Sequence, residues 1–478
     1  MNRRAAITAL AACICALAAA SCAVKPPAVE SPVAAPASFS RTGDALLEER
    51  WWTALGDERL NGLVEDALAG NFGLKSAFDR VQQARAIARQ QGARLAPQLD
   101  GSASAGRSAA RQGTPGGTRT TYQDELSMGL SAGYEVDLWG RLRAARDAAR
   151  LDAEANGEDL TAAAISLSAQ VAETWYRLAE RRGQLRLLDE QIETTQKYLD
   201  IITLKFRRGH VPAADVLQQR QVIESRRGER ALVESNIGVL ESQLAVLLGD
   251  VPGAFSVPEG LDLADLPPAP ETGLPAALVR RRPDVRAAER RMEAASHRVA
   301  VAVADRFPRL QITARGETSA EEVGQLFDNW LANLLGNLSA PLLDGGSREA
   351  EVDRTQAVLS ERVNAYGQTV LDALKEVEDA LVREARQQDY LASLRQQLEL
   401  SGESIEQTRD RYIRGTADFT RYLTTLLDHQ RLQRTYLTAR LDEVLFRIGL
   451  YRALAGGWDA VPRKPEVETE RLQTGEPN

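Results

Sequence analysis

Ser131 lies in Gly129-Leu130-Ser131-Ala132-Gly133, the glycine-x-serine-x-glycine spacing that carries the nucleophile of many serine hydrolases. Such a nucleophile needs a sharp strand-to-helix turn at the serine and a histidine to take its proton. Here apolar and small residues alternate straight through Ser131, so an esterase reading fails on local geometry. The histidines are His210, His297 and His429; the first stands by a helix turn and the third within helical periodicity. His297 and His429 have no ligand-like partner at short spacing, and no cysteine pair exists, so both read as surface histidines rather than metal ligands. No Gly-Lys dipeptide occurs, which excludes a phosphate-binding P-loop and leaves any energy source to a partner. Asp418 and Arg421 stand three apart at a helix start, the spacing of a cap and a solvated ion pair.

The elements that position these residues are long and of two kinds. Leu126, Met128, Leu130, Ala132, Tyr134, Val136 and Leu138 alternate with small or acidic residues, predicting a strand with one apolar and one polar face. Thirteen residues at about 3.3 Å each reach about 40 Å, enough to cross a bilayer even when tilted. From Gly140 the period becomes helical, through Leu142, Ala145 and Ala149. A weaker strand is expected at Gln98 to Gly106 after a helix from Asn71 to Ala96, and Gly113 to Thr118 has loop composition.

The second half repeats this order. A helix from Pro283 to Asp305 stops at Pro308 as the first stops at Pro97, an offset of about 211 residues; Leu310, Ile312 and Ala314 then alternate, and Trp330 to Leu342 matches the strong strand. Lys205-Phe206-Arg207-Arg208-Gly209 finds its partner in Arg411-Tyr412-Ile413-Arg414-Gly415. The unit is helix, strand, strand, long helix, turn, helix, twice. Gly140 to Arg207 and Ser347 to Arg414 would each be about 100 Å of unbroken helix. The shorter helices, Asn71 to Ala96 and Pro212 to Leu248, stacked end to end, would line one long helix in coiled-coil fashion.

Residues 1–21 form a secretory signal, with Arg3 and Arg4 before the apolar run Ala5 to Ala20. All three cysteines, Cys13, Cys15 and Cys22, lie at or before its end, so the mature chain has no internal disulfide. Cys22 follows small residues as at a bacterial lipoprotein cleavage site, predicting diacylglycerol and an N-acyl chain on Cys22 as the only attached group, with no other cofactor. Losing two arginines takes the formal charge from -8 to -10, against a nucleic-acid partner. No run of about 18 apolar residues follows the signal, so any spanning role falls to strands. The expected divisions are signal 1–21, lipidated tether 22–50, first repeat 51–249, Pro-rich connector 250–274, second repeat 275–458 and a disordered tail 459–478. Four strands cannot close a spanning barrel, which needs about eight or more and no open edge, so copies must share one; two or three would serve.

Four motifs now carry a resemblance: Trp51-Trp52 with Gly56-Asp57-Glu58-Arg59-Leu60, Tyr134 to Arg141, Arg281 to Glu289, and Leu450 to Leu454 with Gly456-Gly457-Trp458. With them the chain resembles the outer-membrane factor family, the TolC-like exit ducts of tripartite efflux pumps, in its lipoprotein branch. The resemblance implies a mainly helical chain with a membrane β-barrel, two repeats per chain, and a homotrimer forming a twelve-stranded barrel in outer-membrane lipid and a helical barrel in the periplasm. It also implies passive export of small solutes, with a periplasmic adaptor (membrane fusion) protein and an inner-membrane RND pump as partners and no enzymatic activity. The alternative is a structural or adhesive envelope protein on periplasmic coiled coils. By resemblance the periplasmic gate lies mainly at the second turn, Gly415 to Thr424, where Tyr412 matches the family pattern and Thr424 replaces an aspartate. Asp418 and Arg421 are the charges there, and Asp215 marks the first turn.

Overall fold

Asp57 opens the helical part by accepting hydrogen bonds from the amides of Arg59 and Leu60, capping the orphan N–H groups of the first turn. The computed structural model describes residues 23–43, 50–115, 117–256 and 260–455; the signal segment, Cys22 and the tail 459–478 lie outside the described residues. A short 3-10 turn, Trp51–Leu55, precedes α1 (Glu58–Gly70) and α2 (Phe72–Ala93). Then come β1 (Gln98–Thr114), β2 (Gly117–Val136), α3 (Arg141–Arg207) and α4 (Ala213–Leu248). The second half holds α5 (Pro275–Arg281), α6 (Pro283–Ala304), β3 (Arg309–Ala320), β4 (Trp330–Ser339), α7 (Ser347–Ile413) and α8 (Phe419–Leu454).

The internal repeat is exact in length for three helix pairs, though α1 has 13 residues and its counterpart α5 only 7. α2 and α6 have 22 residues each, α3 and α7 have 67, and α4 and α8 have 36. The long helices each begin after a left-handed glycine, Gly140 (φ 76°) and Gly346 (φ 85°), and end before another, Gly209 (φ 75°) and Gly415 (φ 74°). A side chain at those φ values is strained, so the glycines fix where the chain reverses.

The two compact units do not follow the two repeats. One takes the N-terminal stretch through Pro32, Arg80–Gly157 and Ala287–Gln368; the other takes Val33–Asp79, Glu158–Arg286 and the chain from Thr369 onward. The reason lies in strand pairing, since β2 of the first repeat bonds β3 of the second along Leu126↔Ala320 to Val136↔Leu310. The resulting sheet is antiparallel, in the order β1-β2-β3-β4, and leaves one edge of β1 and one edge of β4 unpaired among the described residues. Gly113 to Thr118 is less of a loop than composition predicts: pairing continues to Thr114↔Gly117, and Gly117 supplies the positive φ (130°) of a tight hairpin. β1 and β2 thereby run past β3, so Gly106 to Thr114 and Gly117 to Glu125 form a two-stranded ribbon. β2 stops at Val136 rather than Leu138, where the amide of Leu138 turns back to the Val136 carbonyl.

In the other unit the repeat produces two equivalent joints. Asn71 Oδ1 accepts from the amide of Leu74, capping α2, while its Nδ2 donates to the carbonyl of Leu247 at the end of α4 (3.0 Å each). At the corresponding joint Arg282, just before α6, donates from Nη1 to the carbonyl of Ala453 at the end of α8 (3.2 Å) and bridges Asp284 and Glu376. Each joint therefore places the end of one short helix at the start of another. A Cβ on Gly70 would lie 2.1 Å from the Leu248 carbonyl, and one on Gly249 2.5 Å from the Gly70 carbonyl, so both glycines are required by close approach.

Two tryptophans from the opening motif are buried in this unit. Trp51 donates to Ser168 Oγ and packs on Tyr451, and Trp175 donates to Asp57 Oδ2 (2.7 Å), tying the cap of α1 to α3. The Pro-rich connector is pinned by arginines: Arg447, itself paired with buried Glu384, donates to the carbonyls of Pro267 and Pro268, and Arg440 reaches Asp265. The tether is also held. Phe39 is buried in a cluster with Leu278 and Leu450, and Ser40 bonds the Glu378 carboxylate through its amide and hydroxyl.

Candidate functional site

Strand geometry divides the sheet into two surfaces. Leu126, Met128, Leu130, Ala132, Tyr134 and Val136 of β2 share a face with Leu99 and Ala103, with Leu310, Ile312 and Ala314, and with Trp330, Leu334 and Leu338. That face is uncovered: Leu130 is 60% exposed, Leu334 76% and Trp330 77%. A contiguous exposed apolar face of this kind is stable only against lipid or a partner. The band ends in charge, since Arg107 and Asp124 pair at 2.7 Å on the same face two residues past Leu126. The opposite face carries Asp100, Ser102, Ser131, Gln311, Arg315, Glu317, Asn333 and Asn337, with Leu331 and Leu335 as the apolar exceptions. Ser131 sits mid-strand, opposite Asp100 and Arg315, rather than in a turn to a helix.

The strand-to-helix joint is fixed by side chains. Asp137 accepts from the amides of Leu142 and Arg143 (3.0 Å each), and Glu135 takes a forked pair of bonds from Arg141. Trp139 stacks on Phe307 with ring centroids 4.8 Å apart and donates to the carbonyl of Pro308. Aromatic rings with one polar tip favour a membrane boundary.

The gate candidates come together in the second unit, at the two helix-to-helix turns. The turns are built alike: His210 N bonds the Lys205 carbonyl and Thr416 N the Arg411 carbonyl, at 2.9 Å each. Beneath them Ile202, Val216, Phe419, Tyr422, Leu423 and Leu426 form a buried cluster. Tyr412 stacks on Tyr422 (5.9 Å, 8°) and meets Phe419 at 5.8 Å, while Lys205 Nζ lies 4.2 Å from its ring centre. Its enclosed hydroxyl has no hydrogen-bond partner among the described residues. Burial, aided by Tyr198, pushes the Tyr422 phenol up.

Asp418 caps α8, accepting from the backbone amide of Arg421 at 2.7 Å. Arg421 therefore reaches Asp418 through its main chain, and its side chain stays exposed. What sequence spacing did not pair is Asp215 with Asp418. Partial burial and then the Asp418 carboxylate raise Asp215 above the ordinary aspartate value, so the two turns face each other with like charges. The 206-residue offset between α4 and α8 aligns the two turns but sets Asp215 against Arg421 rather than Asp418, so the repeat gave no signal for this pair. The histidines are less superficial than expected: Ser401 Oγ and His429 Nδ1 are 2.7 Å apart, and burial lowers the His429 pKa. Ser401 also donates to the Leu398 carbonyl, which makes the pair a helix contact.

Comparison with known proteins agrees with this construction. The pattern of the family described as "Outer membrane efflux protein" matches residues 63–250 and 274–456. The pyoverdine export outer membrane protein OpmQ of Pseudomonas aeruginosa is 30% identical over 456 residues, covering 92% of this chain and 95% of OpmQ. The cation efflux system protein CusC of Escherichia coli is 27% identical, covering 93% of this chain and 97% of CusC. Among solved structures, the outer-membrane channel OprN superposes with a TM-score of 0.84 at 27% identity, over 91% of this chain and all of that one. With an apolar sheet face, open edges, a doubled helix-strand-strand-helix order and matches across nearly its whole length, this chain belongs to the outer membrane efflux protein family, the TolC-like channels of the outer membrane.

Proposed function

We propose that three copies of this chain form the exit duct of an RND-type tripartite efflux system, joined to a periplasmic adaptor and an inner-membrane pump, and conduct small solutes passively without catalysis. The observation that carries the reading is the four-stranded sheet, apolar on one face and unpaired at both outer edges. Every backbone group in a bilayer needs a partner, so β4 of one copy must bond β1 of the next; three copies give twelve strands and a closed wall. The helices support the same closure. Leu232, Val239 and Val246, spaced by sevens on α4, are all more than half exposed, a coiled-coil seam awaiting a second copy.

Lipid on Cys22 fits what the following residues do: Val24 donates to the carbonyl of Trp139 (3.0 Å), beside the aromatic pair at the strand-to-helix joint. The expected divisions, signal 1–21, tether 22–50, repeats 51–249 and 275–458 with connector 250–274, and tail 459–478, are part of this reading. Asp215, Asp418, Tyr412 and Arg421 form the periplasmic gate. Three copies would bring six carboxylates to the tunnel mouth, where Arg421 of one copy can bridge to a neighbour. Purified protein in a planar bilayer should conduct ions as a trimer; absence of any pore from correctly inserted trimer overturns the duct.

A further inference from the structure

The outer edges of β1 and β4 have no partner among the described residues, yet the internal repeat fixes where one belongs. Moving β1 by 211 residues and β2 by 206 turns the pair Gln98↔Gly133 into Arg309↔Ser339, and Gly101↔Leu130 into Ile312↔Gly336. Both are observed pairs of β3 and β4, so the two hairpins share one register to the residue. A slip of one residue would turn a strand over, which makes a register kept by two halves of different sequence a constraint of the fold. Between the hairpins, β2 meets β3 from Leu126↔Ala320 to Val136↔Leu310. β4 is the equivalent of β2, and the next equivalent of β3 is β1 of another copy.

The helices carry the same relation. Within the chain α3 packs on α8: Gln184 Nε2 donates to Thr438 Oγ1 (3.2 Å), and a Cβ on Gly183 would lie 2.8 Å from Leu437 Cδ2. The 206-residue offset carries Gly183 and Gln184 to Asp389 and Tyr390 on α7, and Leu437 and Thr438 back to Ala231 and Leu232 on α4. Tyr390 is 46% exposed and Leu232 68%. Leu423 of α8 is buried with Ile202 and Val216 of the first half, whereas its equivalent on α4, Leu217, is exposed. Faces of α4 and α7 are thus bare where their equivalents are covered by the other half.

We propose that the seam between copies repeats the seam between halves. Ala332 of β4 lies opposite Ala109 of the next copy, Asn337 opposite Ser104 and Leu338 opposite Ala103, while α7 packs on α4 of the same neighbour through Tyr390 and Leu232. The proposal rests on the duct reading and adds the residues that join its wall. Leu338 and Ala103 both belong to the apolar face, and Asn337 and Ser104 to the polar one, so both faces run unbroken across the seam. The last template pair, Leu126↔Ala320, ends the seam at Ala109, short of the hairpin tip.

Cysteine pairs read this register directly, because the only cysteine beyond residue 15 is Cys22. Opposite Cβ atoms stand about 4.5 to 5.5 Å apart and diagonal ones about 7 to 8 Å, against the roughly 3.5 to 4.5 Å that a disulfide spans. Within one chain β2 and β3 separate the two edges by about 14 Å, so any link joins two copies. Asn337→Cys with Ser104→Cys, and Leu338→Cys with Ala103→Cys, sample both classes of antiparallel pair. Oxidised in membranes with copper phenanthroline, each should form covalent trimer on a denaturing gel at least ten times faster than Asn337→Cys with Ser102→Cys or with Gly106→Cys. Asp389→Cys with Ala231→Cys should link as well. Faster linking of a shifted pair, or no link at either opposite pair in protein that runs as trimer on unheated gels, overturns the register; no link between Asp389→Cys and Ala231→Cys in such protein overturns its extension to the helices. Absence of trimer from the reduced, unsubstituted protein would instead strike the duct reading itself.

Discussion

Replacing Leu130 with arginine tests the assignment of the sheet faces most directly. Leu130 stands in a row with Gly101, Gly316 and Ala332, near the middle of the apolar band Leu126 to Val136. The neighbours in the row offer no carboxylate to a guanidinium, and two of them are glycine, so nothing on that face shields the charge from lipid. An arginine near the bilayer midplane of a barrel costs about 2 to 4 kcal/mol, which is about 30- to 1,000-fold in each chain's insertion equilibrium. Ser131→Arg moves the same charge by one residue to the opposite face, between Asp100 and Arg315. There one cross-strand neighbour attracts and one repels, each by under about 1 kcal/mol, so the net change should be small. Both variants should be folded into phosphatidylcholine vesicles across a urea series and scored by the heat-modifiable gel shift of the trimer. Leu130→Arg should move the folding midpoint to clearly lower urea and Ser131→Arg should barely move it. Equal shifts, or a larger one for Ser131→Arg, would refute the face assignment and with it the lipid-facing band.

Four further outcomes are expected. Asn71→Ala removes both the cap on Leu74 and the bond to Leu247, costing about 2 kcal/mol in all, and should lower the thermal midpoint of the helical part while leaving barrel insertion intact. Asp215 is raised by burial and by Asp418, so its protonated form belongs to the facing-turn arrangement: the stabilisation is full below the ordinary aspartate value and lost as pH rises through the raised one. Acidification through that window should reduce conductance, and Asp418→Asn should shift the midpoint down; identical profiles would remove the acid pair from gating. Asp418→Ala with Arg421→Ala should raise single-channel conductance without lowering trimer abundance, and unchanged conductance would leave Asp418 as the cap of α8 alone. Cys22→Ser should abolish palmitate labelling while the barrel still inserts, and an unlabelled wild type would end the lipoprotein reading.

How much of this was legible depended on which solvent each residue meets. Alternation in β2 was plain from Leu126 to Val136 because lipid demands an apolar side chain at every second position there. Past Leu126 the strand continues as Tyr122, Gln123, Asp124 and Glu125, where water on both faces imposes no period, and sequence reading lost it. The joints were hidden for a different reason. Asn71 and Arg282 occupy equivalent places and donate to equivalent carbonyls, yet an amide and a guanidinium share no residue class. The proximity of Asp215 to Asp418 was missed because Asp418 and Arg421 are near in sequence, whereas the charged neighbour of Asp418 lies on the other turn.

The two offsets of the repeat locate where the halves are free to differ. From Gln98 to Arg309, the starts of β1 and β3, is 211 residues, but from Arg141 to Ser347, the starts of the long helices, is 206. The first repeat therefore holds five more residues between those points, and every later helix keeps the shorter offset. The paired rows from Leu126 to Val136 are full, as are the 67- and 36-residue helices that follow, so none of these can absorb the excess. It falls in the β1–β2 ribbon, whose counterpart between β3 and β4 is only a short 3-10 turn and its flanks. A slip of one residue in the sheet would turn the whole apolar band inward, and a change of helix length would misplace the joint or the helix-to-helix turn. The ribbon carries neither constraint, and its Arg107, Arg111 and Arg119 stand beyond the lipid-facing rows. From the strands onward, change between the halves is thus confined to the end of the sheet farthest from the helices, while the membrane band, joints and turns keep their spacing in both halves.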